Sequence, residues 1–254
     1  MNDIVRLERQ GALAILTLNL PEKRNALAEA LYLRLAETIQ ALHDDDSCRA
    51  IVLTGGRNFS AGGELDGLDT NPQVMRASMR QGHRVIRLIV TGRLPVIAAV
   101  QGAAFGAGLS LASACDFVVA EPATQFGAVY GKVGVMPDWG VLWTLPRRIG
   151  LPRTKKMLMF SQVLDGTQAH AIGLADELVE SGLALQHAIE LGQQLAQAAP
   201  GPLAATKALI ARAQGLDALL DWEADSQALL IASEDFVEGR DAFFARRQPL
   251  FKGR

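Results

Sequence analysis

The residues best suited to chemistry fall in three short runs. The run Lys132-Val133-Gly134-Val135-Met136-Pro137-Asp138-Trp139-Gly140 holds a single acid among mostly apolar neighbours, with Trp143 just beyond. A carboxylate there suits a general base in a partly apolar pocket, where desolvation raises its pKa and a helix start lowers it. The same spacing fits an ordinary helix N-cap, and taken alone it favours the cap. A second run, Asn58-Phe59-Ser60-Ala61-Gly62-Gly63-Glu64-Leu65, is built of small residues that let a ligand approach the backbone, and Gly63 can present its N–H without side-chain interference. By itself it reads as a turn after a strand. The third run, Val100 to Ser110, follows an apolar strand and enters a helix through Gly102, Gly106 and Gly108. Unsatisfied N–H groups and the helix dipole then converge on one spot suited to an anion or a developing oxyanion. No Gly-Lys-Ser/Thr closes this run and the dinucleotide-binding glycine spacing is missing. Tight packing of a helix on a sheet needs the same small residues, and the two readings are compatible.

These runs require a layered scaffold. Residues 12–18 are almost continuously apolar, and 50–54, 96–100 and 117–119 are further β-like runs. Leu27, Leu31, Leu35, Ile39 and Leu42 recur at helical spacing, and helix-like stretches lie near 73–90, 106–114 and 140–149. Strands alternating with helices predict an α/β architecture. After about Ser181 the strand signal ends, and 183–199, 202–213 and 216–231 read as successive helices, with Leu216, Leu219 and Leu220 on one face of the last. Pro200-Gly201-Pro202 reads as the break between an α/β core, 1–199, and a helical C-terminal region, 200–254. Surplus apolar residues in that region suit either a cap on the core or a subunit contact.

Composition narrows the functional classes. The chain has 254 residues, 49% hydrophobic and 20% charged, as an ordinary globular protein does. A net charge of −2 without any long run of Lys or Arg argues against a nucleic-acid partner held by phosphate neutralisation. Cys48 and Cys115 show neither zinc spacing nor a disulfide framework, and His43, His83, His170 and His187 form no ligand spacing, so no metal is expected. The first residues carry no apolar signal-peptide core. Residues 94–115 are uncharged and long enough to span a bilayer, but Pro95, Gln101, Gly102, Gly106 and Gly108 interrupt them. A strand, a turn and a core helix explain that stretch better. The expectation is a soluble, cytoplasmic protein in a reducing compartment, bound to neither membrane nor nucleic acid.

Taken together and in order, the runs resemble the crotonase (enoyl-CoA hydratase/isomerase) superfamily over essentially the whole chain. Leu18-Asn19-Leu20-Pro21-Glu22-Lys23-Arg24-Asn25-Ala26-Leu27 looks like its N-terminal signature, with Leu20 where many members have Arg. The Phe59–Leu65 run resembles its first oxyanion-hole loop, and Gln101-Gly102 through Cys115-Asp116 its second loop with the following helix and strand. Phe126-Gly127 and the Gly134-to-Pro137 run resemble the segment that lines its acyl pocket. The resemblance implies a spiral of repeated β-β-α units with a helical C-terminal trimerisation region, as a homotrimer or a hexamer made of two trimers. It implies an acyl-CoA substrate with no separate cofactor, CoA being part of the substrate. Gly63 and Ala107 match the two oxyanion-hole donors; Lys23, Arg24, Ala61 and Leu65 match positions near CoA; Phe244 and Lys252 fall in a tail that often reaches a CoA site.

One departure is decisive for the expected reaction. Hydratases of the superfamily carry two glutamates that activate water, and the matching positions here are Ser110 and Tyr130. Neither is a good general base near neutral pH, since an unperturbed Tyr has a pKa of about 10, and each lost acid–base group typically forfeits about 10²–10⁴-fold in rate. The superfamily's isomerases often use a single carboxylate near this pocket, and the phenylacetyl-CoA pathway epoxide isomerase has a Pro-Asp pair in the segment matching Pro137-Asp138. The expectation is therefore an enoyl-CoA isomerase with Asp138 as acid/base and with Ser110, Tyr130 and Trp139 in the acyl pocket. Hydration is the runner-up, and a non-catalytic CoA-binding protein is the rival from another class. RNA binding lacks a basic patch. Gly108-Leu109-Ser110-Leu111-Ala112 loosely resembles a hydrolase nucleophile elbow, but Ser110 comes too long after the strand for one. Glu64 and Asp66 are expected to face solvent or begin a helix, and Asp116 to make structural hydrogen bonds.

Overall fold

The computed structural model describes residues 3–66, 70–212 and 216–254, so Ala213 and the Leu216 side chain lie outside what is described. The first strands are β1 (Val5–Gln10), β2 (Leu13–Leu18), β3 (Ala50–Thr54), β4 (Val96–Val100) and β5 (Ala103–Phe105). They are followed by β6 (Phe117–Ala120), β7 (Gln125–Gly127), β8 (Val163–Asp165) and β9 (Glu177–Leu178). The larger sheet has the order β1-β2-β3-β4-β6-β9; only the β1/β2 hairpin is antiparallel. A smaller sheet, β5-β7-β8, pairs β5 with β7 in parallel and β7 with β8 antiparallel.

Helices cover both faces of the larger sheet, which is what nearly continuous apolar strands require. They are α1 (Glu29–Asp44), α2 (Pro72–Thr91), α3 (Ala107–Ala114), α4 (Val141–Ile149), α5 (Leu151–Met159) and α6 (Gly166–Ala171). The chain ends with α7 (Ala184–Gln197), α8 (Pro200–Arg212), α9 (Leu216–Ile231) and α10 (Glu234–Ala245). Alternation along each strand divides the core in two. Ile51, Leu53, Val96 and Ala98 point into the larger cluster with Leu31, Leu35 and Ile39 of α1 and Val85 and Ile89 of α2. Ala50, Val52, Ile97 and Ala99 point the other way, against Ala184, Ala188 and Ile189 of α7.

Several local expectations change. The leucine pattern from Leu27 becomes helical only at Glu29, because Leu27 first bridges to Gly63 and donates its N–H to Gly62 O at 2.7 Å. Pro200-Gly201-Pro202 does not interrupt the chain but forms the first turn of α8, where a missing N–H costs nothing. The link from α7 to α8 is extended at Ala198, at φ −76°, ψ 159°. The uncharged stretch 94–115 resolves into β4, β5 and α3, and no helix among the described residues is long and apolar enough to cross a membrane. Strands β5, β7, β8 and β9 have only two or three residues each, too few to show a period in sequence.

Two features of this scaffold position the site. β3 and β4 are parallel neighbours, with Thr54 opposite Ala99, so the loops leaving their carboxyl ends emerge side by side. The helical tail is tied to the same strands: Lys207 Nζ of α8 donates to Leu94 O at 2.7 Å and pairs with Asp116 Oδ2 at 2.5 Å. Asp116 also accepts the Val96 N–H at 2.7 Å, the structural role expected of it. Lys207→Met should lower stability by about 2 kcal/mol, because Asp116 loses its buried partner while keeping part of its hydration. A lower urea midpoint at unchanged m-value is the expected result; an unshifted midpoint would show that the tie carries no weight.

Candidate active site

The two loops that leave β3 and β4 meet through their main chains. Ser60 N donates to Ala103 O at 2.9 Å and Phe105 N to Ser60 O at 3.0 Å, closing a parallel bridge between Ser60 and Ala104. Asn25 pins the first loop from below, its Nδ2 donating to Gly55 O (2.9 Å) and Asn58 O (2.7 Å). At Gly62, φ is 105°, and a Cβ there would lie 2.7 Å from Phe105 O and 3.7 Å from Ala107 N. Gly106 has φ 51° and ψ −123°, a conformation essentially restricted to glycine. Both positions therefore need glycine, one for contact and one for conformation.

This contact sets Gly63 and Ala107 on the wall of one cavity of about 770 Å³. Ala107 is the first residue of α3, so its N–H has no partner within the helix. Neither the Gly63 nor the Ala107 amide has an acceptor among the described residues. Two unpaired amides at the same cavity, one at a helix N-terminus, can receive a carbonyl oxygen on which negative charge develops.

Asp138 lines the same cavity, and its Oδ1 is buried with no hydrogen-bond partner among the described residues. The capping reading of this acid is corrected here. Helix α4 begins at Val141 behind Gly140, and no side chain caps it. Trp139, at φ 49°, and Gly140, at φ 74°, are both left-handed and turn the chain so that Asp138 stands clear of the helix end. Such a conformation costs a non-glycine residue about 1–2 kcal/mol, and it persists because Trp139 is locked by packing. Its indole lies edge-to-face on Tyr32 at 5.5 Å and against Gly82 of α2, where a Cβ would come within 2.7 Å. Burial pushes the Asp138 carboxyl up to about 6, outweighing a hydrogen bond from its own backbone N–H.

Ser110 and Tyr130 are brought together, but not as two pocket residues. Tyr130 lines the cavity, whereas Ser110 is fully buried behind it in α3 and does not reach the wall, correcting its assignment to the acyl pocket. Their hydroxyls lie 2.6 Å apart. Tyr130 Oη is 2.7 Å from Gly106 O, and Ser110 Oγ is 2.9 Å from Asp138 O. Burial raises the Tyr130 phenol above its usual range. The pair is a neutral hydrogen-bonded unit and lacks a carboxylate to activate water.

The remaining predicted residues divide. Ala61, Leu65 and Trp139 line the cavity. Lys23 pairs with Glu64, which lines the cavity and stays partly exposed to solvent. Arg24 meets the first loop through its carbonyl, which accepts the Ala61 N–H at 2.9 Å. Phe244 and Lys252 are exposed on and beyond α10 and are not among the lining residues within one chain. Helix α2 supplies Met75, Ser78, Met79 and His83 to the wall. Sequence reasoning missed Tyr32 on α1, whose hydroxyl meets Ser78 Oγ at 2.8 Å inside the cavity wall. A tyrosine in the otherwise aliphatic stripe of α1 was the available signal.

Comparison with known proteins gives matches over nearly the whole chain. Residues 8–254 match the enoyl-CoA hydratase/isomerase family. The chain is 34% identical over 247 residues to 1,2-epoxyphenylacetyl-CoA isomerase of Escherichia coli (strain K12), covering 94% of each. It is 35% identical over 257 residues to 2,3-dehydroadipyl-CoA hydratase of the same organism, covering 100% of each. Among solved structures, an enoyl-CoA hydratase from Polaromonas sp. JS666 superposes with a TM-score of 0.92 at 37% identity, covering 97% of this chain and 99% of that one.

The state of Asp138 has a thermodynamic signature. Its carboxyl titrates near 3.8 when unfolded and at about 6 in the folded chain. Between these values the folded form holds a proton that the unfolded form has lost, so stability falls as pH rises through the window and stays lower above it. Asp138→Asn should therefore stabilise the protein at pH 7 by about 1–2 kcal/mol, a gain that vanishes below about pH 4. Urea denaturation of both proteins at pH 4 and pH 7 checks this; equal midpoints at pH 7 would mean that the carboxylate is not desolvated.

Proposed function

This chain belongs to the enoyl-CoA hydratase/isomerase family, the crotonase superfamily, and from that premise we propose that it moves the double bond of an enoyl-CoA with Asp138 as its single acid/base. It is an acyl-CoA enzyme of that family. The proposed substrate is a 3-enoyl thioester whose carbonyl oxygen accepts from the Gly63 and Ala107 amides. Asp138 takes a proton from the α-carbon, the electron pair spreads over a dienolate, and the same carboxyl returns the proton to the γ-carbon to leave the 2-enoyl thioester. No proton is gained or lost overall. Each amide donor can contribute about 2.7–4 kcal/mol to holding the charge that builds on oxygen. A carboxyl at about 6 suits both halves of the shuttle, since it is ionised at neutral pH yet a weaker acid than an ordinary Asp.

The observation that carries this reading is the Asp138 oxygen, buried at the cavity without a donor among the described residues, while the positions matching the hydratase glutamates hold the neutral Ser110–Tyr130 pair. Hydration is the second reading, because several relatives are named hydratases. It would need Asp138 alone to manage both the water proton and the α-carbon. Lys23, Arg24, Ala61 and Leu65 are proposed to meet CoA, and Phe244 and Lys252 to do so from the tail. We further propose a trimer or a pair of trimers, for which the exposed Leu220, Trp222, Leu229, Phe236 and Val237 of α9 and α10 provide apolar surface.

Assaying one 3-enoyl-CoA and one 2-enoyl-CoA separates the readings. Isomerisation is expected to exceed hydration, to rise with pH through about 6 as Asp138 ionises, and to fall by at least about 10³-fold in Asp138→Asn. Isomerase activity surviving in a folded Asp138→Asn protein refutes the assignment. CoA binding with no turnover of either substrate, and no solvent exchange at the acyl α-carbon, would make the chain a binding protein instead.

A further inference from the structure

The peptide unit that joins Gly106 to Ala107 has two ends, and both are engaged by the site. Its N–H is the Ala107 amide at the cavity. Its carbonyl, Gly106 O, points away from the cavity into the protein, where it accepts from Ser110 N at 3.1 Å and lies 2.7 Å from the Tyr130 hydroxyl. A donor on the carbonyl oxygen of an amide draws electron density toward that oxygen and leaves the N–H at the other end more positive. Hydrogen bonds arranged in series in this way strengthen one another, most of all where water is excluded. Tyr130 is 3% exposed and Ser110 fully buried, so this series is shielded from solvent.

The hydrogen inventory sharpens the point. Ser110 and Tyr130 each have one hydroxyl hydrogen, yet three short contacts need one: Tyr130 to Gly106 O, Ser110 to Asp138 O, and Ser110 to Tyr130. Two hydrogens satisfy two contacts at a time. When Ser110 donates to Tyr130, Tyr130 donates to Gly106 O and the series ends on the Ala107 N–H. When Tyr130 donates to Ser110, Ser110 donates to Asp138 O and Gly106 O loses its phenolic donor. Negative charge arriving on an oxygen at the Ala107 amide favours the first arrangement, and rotation of two hydroxyls is all that separates them. The same pair thus touches the main chain of the acid and the peptide of the amide.

We propose that the Ser110–Tyr130 pair is a positioning and polarising device, in which the Tyr130 hydroxyl strengthens the Ala107 N–H through the Gly106 carbonyl. It rests on the reading above that the Ala107 amide receives the thioester oxygen. Tyr130 is a positioning residue here: it acts on the substrate through the Gly106–Ala107 peptide. The positions that could have carried a water-activating carboxylate serve the carbonyl end of the reaction instead.

The test reads carbonyl polarisation without requiring turnover. Hexanoyl-CoA labelled with carbon-13 at the thioester carbonyl has no double bond to move, and isotope-edited infrared spectra give its C=O stretch free and bound. The stretch should shift to lower frequency on binding, and Tyr130→Phe should abolish a large part of that shift. The variant should also lower kcat for the 3-enoyl-CoA by about tenfold with little change in KM, less than the 10²–10³-fold cost of deleting a donor outright. Ser110→Ala should keep most of the shift, since Tyr130 can still donate to Gly106 O. 3-Fluorotyrosine placed at position 130, a stronger donor of nearly the same size, should enlarge the shift, which a purely space-filling role would not do. Asp138→Asn should keep the shift whatever the reaction, so failure of the acid/base assignment is distinguishable from failure of this one. An unchanged shift in both Tyr130→Phe and the fluorotyrosine protein overturns the proposal.

Discussion

Everything at the cavity depends on two stretches of main chain touching without side chains between them. The bridge of Ser60 with Ala104 holds the loops in register, and Gly62 then lies against the carbonyl of Phe105. Added side-chain volume at that contact would push the loops apart and separate the two amides that face the cavity. The contact is possible because the loops leave the carboxyl ends of adjacent parallel strands, and Asn25 ties the first of them to the N-terminal segment. The fold delivers two backbones to one place, and glycine lets them meet.

Against that rigid frame, Asp138 is placed at a cost. Its Oδ1 is out of water with no donor, and the residue that follows it is held in a left-handed conformation. Local sequence preference explains neither feature. Both are sustained by packing, through the Trp139 indole wedged between Tyr32 and Gly82. A buried carboxylate oxygen without a donor, beside a strained residue in a cavity, is a common sign of function. Asp116 and Asp176 illustrate the contrast: each accepts a backbone N–H and pairs with a cation, and each serves the scaffold.

The Ser110–Tyr130 unit links these two parts. It makes contacts with the peptide behind one amide and with the carbonyl of the acid. A carboxylate at either position would bring charge into this space, and two would repel each other and Asp138. Neutral hydroxyls leave the Asp138 pKa set by burial and not by a charged neighbour.

Much of this was legible in the chain itself. The apolar runs of β2, β3 and β4, the leucine stripe of α1, the three glycine-bearing segments and the absence of carboxylates at 110 and 130 are properties of residue type and spacing, visible without coordinates. They carried the α/β class, the family resemblance and the choice of Asp138 as the interesting acid. What spacing could not supply was direction and depth. Whether Asp138 capped a helix or faced a cavity turned on two left-handed residues, Trp139 and Gly140, whose conformation is imposed by packing against α1 and α2. That Ser110 lies behind Tyr130 and not beside it depends on the rotation of α3 against β5 and α4. The entry of Tyr32 into the site depends on how α1 crosses α2. A one-dimensional pattern records which residues prefer burial, and only the packed chain decides which buried atoms find partners and which are left facing the substrate.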